Sequence, residues 1–167
     1  MLSTLISIPL LSLIAVLQTT VVSRMPLIQG QADLMMVVVI AWALQERVTE
    51  PWQWAVAGGL VMDFLSGLPF GVFTASYLLL AGAARLVGRR LWQFSALVQL
   101  ILTLLGTMVI HTITTLIILI QGTSLIMLDV LRSITLPSLL LNMIITIPAY
   151  IIVSDFAKQL YPEEIEL

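Results

Sequence analysis

Gly58-Gly59-Leu60-Val61-Met62-Asp63-Phe64-Leu65-Ser66-Gly67-Leu68-Pro69-Phe70-Gly71 sets one carboxylate inside an apolar run and follows it at once with a turn of small residues. Gly67 and Gly71 permit backbone angles that other residues avoid, and Pro69 fixes φ, so the run predicts a helix, a sharp break and a second helix. A carboxylate at membrane depth is costly, which makes Asp63 a candidate functional group by default.

The rest of the chain supplies the membrane. Of 167 residues, 60% are hydrophobic and only 10% are charged, more apolar surface than a water-soluble core of this size conceals. The net charge of −2 suggests no nucleic-acid partner. With no cysteine and one histidine, neither a disulfide, a Cys-based metal site nor a cofactor is expected. The stretch before Arg24 carries no charge and lacks the basic start of a secretory signal, so it reads as a retained first span.

Charged residues divide the remainder. A span needs roughly 20 apolar residues. The segment Leu91–Leu128 carries no charge and as one helix would be about 57 Å long, too long for a core of roughly 30 Å. Gln121-Gly122-Thr123-Ser124 is the natural break. The expectation is an all-α polytopic membrane protein, one transmembrane domain over 1–167, with six helices at about 2–22, 33–46, 52–65, 70–88, 94–120 and 133–154. Leu125–Leu131 is expected as a separate interfacial piece, Pro148 as a kink, and Asp33 as the N-cap of the short second helix. With both termini cytoplasmic, Arg47, Arg85, Arg89, Arg90 and Lys158 fall inside, and only Arg24 and Arg132 outside. Trp52, Trp54, Trp92 and Tyr161 are expected at the inner interface.

On this topology Asp63 lies toward the outer end of the third helix. A structural role is the preferred reading: Asp63 accepts hydrogen bonds from freed amides of Ser66 or Gly67, or pairs with Arg132 or Arg24. A proton or ligand site is the alternative, and its only other deep ionisable group is His111. Gln99, Thr103, Thr107, His111 and Thr115 form an oblique ridge along the fifth helix, and Ser138, Asn142 and Thr146 a similar one on the sixth. Such side chains make interhelical hydrogen bonds of roughly 0.6–2 kcal/mol in membranes. Ala55-x-x-x-Gly59 and Ala84-x-x-x-Gly88 are small-residue pairs that allow close helix approach, to a partner inside or outside the chain. No serine-histidine, metalloprotease or nucleotide-binding motif is present, so an enzyme is not expected.

Gly59-Leu60, Asp63, Ser66-Gly67, Pro69 and Gly71 together resemble the hallmark of the rod shape-determining MreD family. Ala32-Asp33-Leu34 resembles that family's Pro-Asp-Leu, with alanine for proline, and Gly88-Arg89-Arg90 resembles its Gly-x-x-x-x-Arg ending. The resemblance implies a non-enzymatic scaffold in the bacterial inner (cytoplasmic) membrane, acting in cell elongation, peptidoglycan synthesis and rod shape. It implies as partners MreC, a SEDS glycosyltransferase, a class B penicillin-binding transpeptidase and membrane lipid. The implied fold is similar to the substrate-binding S components of energy-coupling-factor vitamin transporters. Such a vitamin-binding component is the alternative, with an outward cavity lined by His111 and Asn142. Against it, the first helix lacks the docking Ala-x-x-x-Ala, having only Ala15, and the loop Ser23–Ala32 is short.

Overall fold

The computed structural model describes residues 2–20, 29–124 and 126–161, with side chains except those of residues 2–8 and Trp92. Val21, Val22 and Arg24 lie outside the described residues. The described chain is helical: α1 Leu2–Thr20, α2 Leu34–Ala43, α3 Trp52–Leu65, α4 Val72–Gly88, α5 Ser95–Ile120 and α6 Met127–Leu160. By length and composition α5 and α6 can each cross a membrane.

The solvent preference of the fold is inverted relative to a protein that dissolves in water. Gln99, Thr103, Thr107, Ser138, Asn142 and Thr146 are at most 1% exposed, while Leu79, Leu86, Ile120, Ile144 and Ile152 are 68–84% exposed. Burying polar groups and exposing large aliphatic ones lowers free energy only in an apolar solvent, where unpaired polar groups are the expensive ones. Both polar ridges on α5 and α6 therefore face inward, His111 alone being half-exposed.

Helix α2 is the axis. Its buried residues run from Met35 through Ala43 without interruption, and it touches every other helix of the bundle. A helix apolar on all sides is a buried helix. At about 15 Å it is half the thickness of a bilayer core, so its ends lie within protein. Backbone outside a helix is tolerated at that depth only where protein satisfies it. The lead-in Gln29–Leu34 meets that demand in an alternating pattern. The amides of Gln29, Gln31 and Asp33 donate to Ser133 O (3.1 Å), Ser138 Oγ (2.9 Å) and Asn142 Oδ1 (2.6 Å), all on α6. Gln18 of α1 answers from the other side, donating to Ala32 O and accepting from Leu34 N.

Two sequence features permit this contact. Pro137 has no N–H, which frees the Ser133 carbonyl that receives Gln29. Gly30 sits where a Cβ would stand 2.6 Å from Pro137 Cβ and from Ser138 N, so only glycine brings the two backbones together. The region around Pro137 also explains a departure from the expected boundaries. Residues 127–131 are not a separate interfacial piece; they continue into α6 through a π-helical turn at Leu131–Thr135, and α6 runs on past Pro148 to Leu160. The π turn absorbs the mismatch that Pro137 introduces without ending the helix.

At the opposite end, Trp42 of α2 stacks on Trp54 of α3 with ring centroids 4.0 Å apart, and Phe156 and Tyr161 close the cluster. Trp54 is thus a core residue, 1% exposed, and not an interfacial anchor; Trp52, 55% exposed, faces outward. Arg85 Nη1 donates to Gln45 O and Arg47 Nη1 to Tyr161 O, tying the α2–α3 connection to α4 and α6.

Candidate functional site

At the end of the bundle that carries the Ser66–Gly71 turn, Asp63 and Asp33 stand in different settings. Asp63, 4% exposed, crosses from the last turn of α3 to the first turn of α4. Its Oδ1 accepts from Phe73 N at 2.8 Å, and its Oδ2 from Thr74 N at 3.2 Å and Thr74 Oγ1 at 2.6 Å. The first amides of a helix have no partner within it, and α4 begins at Gly71 with no cap of its own. Asp63 therefore acts as an N-cap supplied by the preceding helix, and its charge sits at the positive end of the α4 dipole.

The amides expected to bind Asp63 are not the ones that do. Ser66 and Gly67 lie on the far side of the turn, where Ser66 Oγ accepts from Leu68 N and donates to Asp63 O, each at 3.4 Å. Among the described residues no ion pair joins Asp63 to Arg132, which lies exposed in the π turn of α6. The pairing with Arg24 falls outside the described residues. Pro69 is exposed and its carbonyl accepts from Val72 N. Gly71 has φ +98°, so the turn needs glycine there. Gly67 has no positive φ and open space where a Cβ would be, so of the two glycines Gly71 is the one that uses the backbone freedom expected of both.

Close approach makes the capping possible. A Cβ on Gly59 would stand 2.4 Å from Thr74 Cα, so α3 and α4 touch backbone to backbone one turn below Asp63. The Ala55-x-x-x-Gly59 pair thus meets a partner inside the chain.

Asp33 is the second node, and sequence reasoning gave it only the role of a cap. It does cap α2, accepting from Met36 N at 2.9 Å. Tyr77 of α4, fully buried, also donates its hydroxyl to both Asp33 oxygens at 2.8 Å. The Asp33 amide donates to Asn142, whose Nδ2 donates to Thr107 Oγ1 at 2.9 Å, and that hydroxyl donates to Thr103 O. Four helices, α2, α4, α5 and α6, thereby meet through one chain of hydrogen bonds. The sequence signal for it was a tyrosine on the inward face of α4, hidden in an apolar run.

His111 stands apart from Asn142. Its Nδ1 lies 3.3 Å from Thr135 Oγ1, and its ring lines a cavity of about 390 Å³ bounded by Asp33, Phe73 and Ser138 among others. Asn142 is fully buried and is not part of the cavity wall, so the two residues expected to share a cavity do not. Among the described residues no cluster of His, Cys, Asp or Glu is placed to hold a metal ion.

A family model described as rod shape-determining protein MreD matches residues 1–160. Neither the curated proteins nor the solved structures give a match. The matched span takes in the Asp63 cap, the Asp33 node and nearly all of the six-helix bundle, and on that extent the chain belongs to the MreD family of rod shape-determining proteins, whose role is the determination of rod cell shape.

Proposed function

We propose that the chain is a non-enzymatic, multi-pass scaffold of the inner membrane that captures MreC and, through it, supports the SEDS glycosyltransferase and class B transpeptidase of cell elongation. The observation that carries this reading is the family match over residues 1–160. The apolar exterior supports six membrane passes, with α2 crossing only in company. The outer α3–α4 hairpin supports partner capture. Phe64, Leu65 and Phe70 are 54–78% exposed there, the two phenylalanine rings 5.2 Å apart edge to face, on a support that Asp63 and Gly59 hold fixed. A rigid aromatic pair is the kind of anchor that concentrates binding energy at an interface.

Co-purification of MreC with a tagged Phe64→Ser/Phe70→Ser variant tests the reading. Reduced capture and rounded cells are expected, with unchanged protein levels. Full capture in that variant places the interface elsewhere, and no capture by the unmodified protein ends the scaffold reading. The vitamin-carrier alternative has only the hairpin-end cavity in its favour.

A further inference from the structure

The cavity at the hairpin end has a chemistry that the scaffold reading does not use. Its walls combine Asp33, His111 and Thr115 with Met62, Phe73 and Ile118. The Met36 amide and the Tyr77 hydroxyl converge on the Asp33 oxygens. Among the described residues no ion pair reaches Asp33; Lys158 pairs with Asp155 at the far end of α6. A half-buried carboxylate that meets no cation among the described residues, at the edge of a cavity, favours a positive group there. Phe73 lines the same cavity, and an aromatic ring is a group that a cation can meet face-on. Thr115, 8% exposed, lines the cavity, and His111 lies on the same wall. Met62, Ile118 and Ile134 give the remaining wall an apolar character.

We infer that this cavity is a binding site for a primary ammonium group carried on a compact apolar body, the ammonium seated between Asp33 and Phe73 and the body along Met62 and Ile118. Asp33 then joins two functions, closing α2 and recognising the ligand. A free amine and the ethanolamine headgroup of a phospholipid carry the same chemistry. The site does not depend on capture of MreC.

The probes are 2-phenylethylamine and its uncharged counterpart 2-phenylethanol, added to the full chain in detergent, with the thermal unfolding midpoint as readout. The amine raises the midpoint in a saturable manner because it binds the folded state; the alcohol does not. Asp33→Asn keeps a cap oxygen and loses the charge, and weakens the amine on the order of tenfold or more. Should that variant fail to fold, Ile118→Trp fills the cavity from the opposite wall without touching the cap and abolishes the response. Native mass spectrometry from phosphatidylethanolamine and phosphatidylglycerol nanodiscs separates the sources. Phosphatidylethanolamine retained by the unmodified chain and lost in Ile118→Trp assigns the ammonium to lipid. A response to the soluble amine without such retention assigns it to a free solute. The inference is overturned by equal responses to amine and alcohol, by responses that Ile118→Trp leaves intact, or by neither probe nor lipid being held.

Discussion

Replacing Asp63 by leucine and by asparagine separates hydrogen bonding from charge at the α3–α4 hairpin. Asp63→Leu leaves three donors without a partner: the amides of Phe73 and Thr74 and the Thr74 hydroxyl. Loss of a cap costs about 0.5–2 kcal/mol, and hydrogen bonds to a charged acceptor contribute about 1.5–3 kcal/mol. The hydroxyl can rotate toward another acceptor, and the favourable interaction with the α4 dipole adds less than about 1 kcal/mol. Together these set the expected loss at about 3 kcal/mol, roughly 150-fold in the folded-to-unfolded ratio. Asp63→Asn keeps one carbonyl oxygen for an amide, and its NH₂ can donate to a rotated Thr74 hydroxyl. One amide bond is then lost, for about 1 kcal/mol. Unfolding by SDS titration in mixed micelles, followed by fluorescence of the stacked Trp42 and Trp54, reads both values. Equal destabilisation by the two variants would make charge the dominant contribution and refute the capping account. A leucine variant within about 0.5 kcal/mol of the unmodified protein would refute any stabilising role for the three bonds.

Gly59→Ala places a Cβ against the Thr74 backbone and is expected to destabilise by about 1–3 kcal/mol in the same assay, because neither helix backbone can yield locally. Gly71→Ala strains a φ of +98° at a cost of about 1–2 kcal/mol, whereas Gly82→Ala meets open space inside α4 and stabilises by about 0.5–1 kcal/mol, so the two serve as opposite-signed controls. Asn142→Leu removes the acceptor of the Asp33 amide and the donor to Thr107, with an expected cost of about 1–3 kcal/mol and faster hydrogen exchange at Asp33; unchanged exchange there would argue against the α2–α6 tie.

Charge spacing and hydropathy were sufficient to read an all-helical chain and the places where its helices break, because each break carries Gly, Pro or a charge. The positions of α3, α4 and α5 follow from those marks alone. The start of α6 was placed too late because Asp129 and Arg132 look like a boundary between spans, and here a π turn carries the helix on from residue 127. Gly71 was legible from the turn pattern, while Gly67 looked identical in sequence and differs only in φ. The inward direction of the Gln99–Thr115 and Ser138–Thr146 ridges followed from the cost of polar groups in lipid. Which donor meets which acceptor did not, since Asp33 and Tyr77 are joined by packing and by no local pattern. For the same reason Asp63 was recognisable as a pin, yet its partners on α4 were not.

The lead-in to α2 has a consequence for biosynthesis. Its amides are held by Ser133, Ser138 and Asn142, side chains and carbonyls that leave the ribosome roughly a hundred residues later. Until then a ten-residue apolar helix with a bare polar entrance is too short to rest across the bilayer by itself. The second element of the chain is therefore completed by the last. A chain truncated before Asn142 loses more than its final span, because its centre has nothing to fasten to.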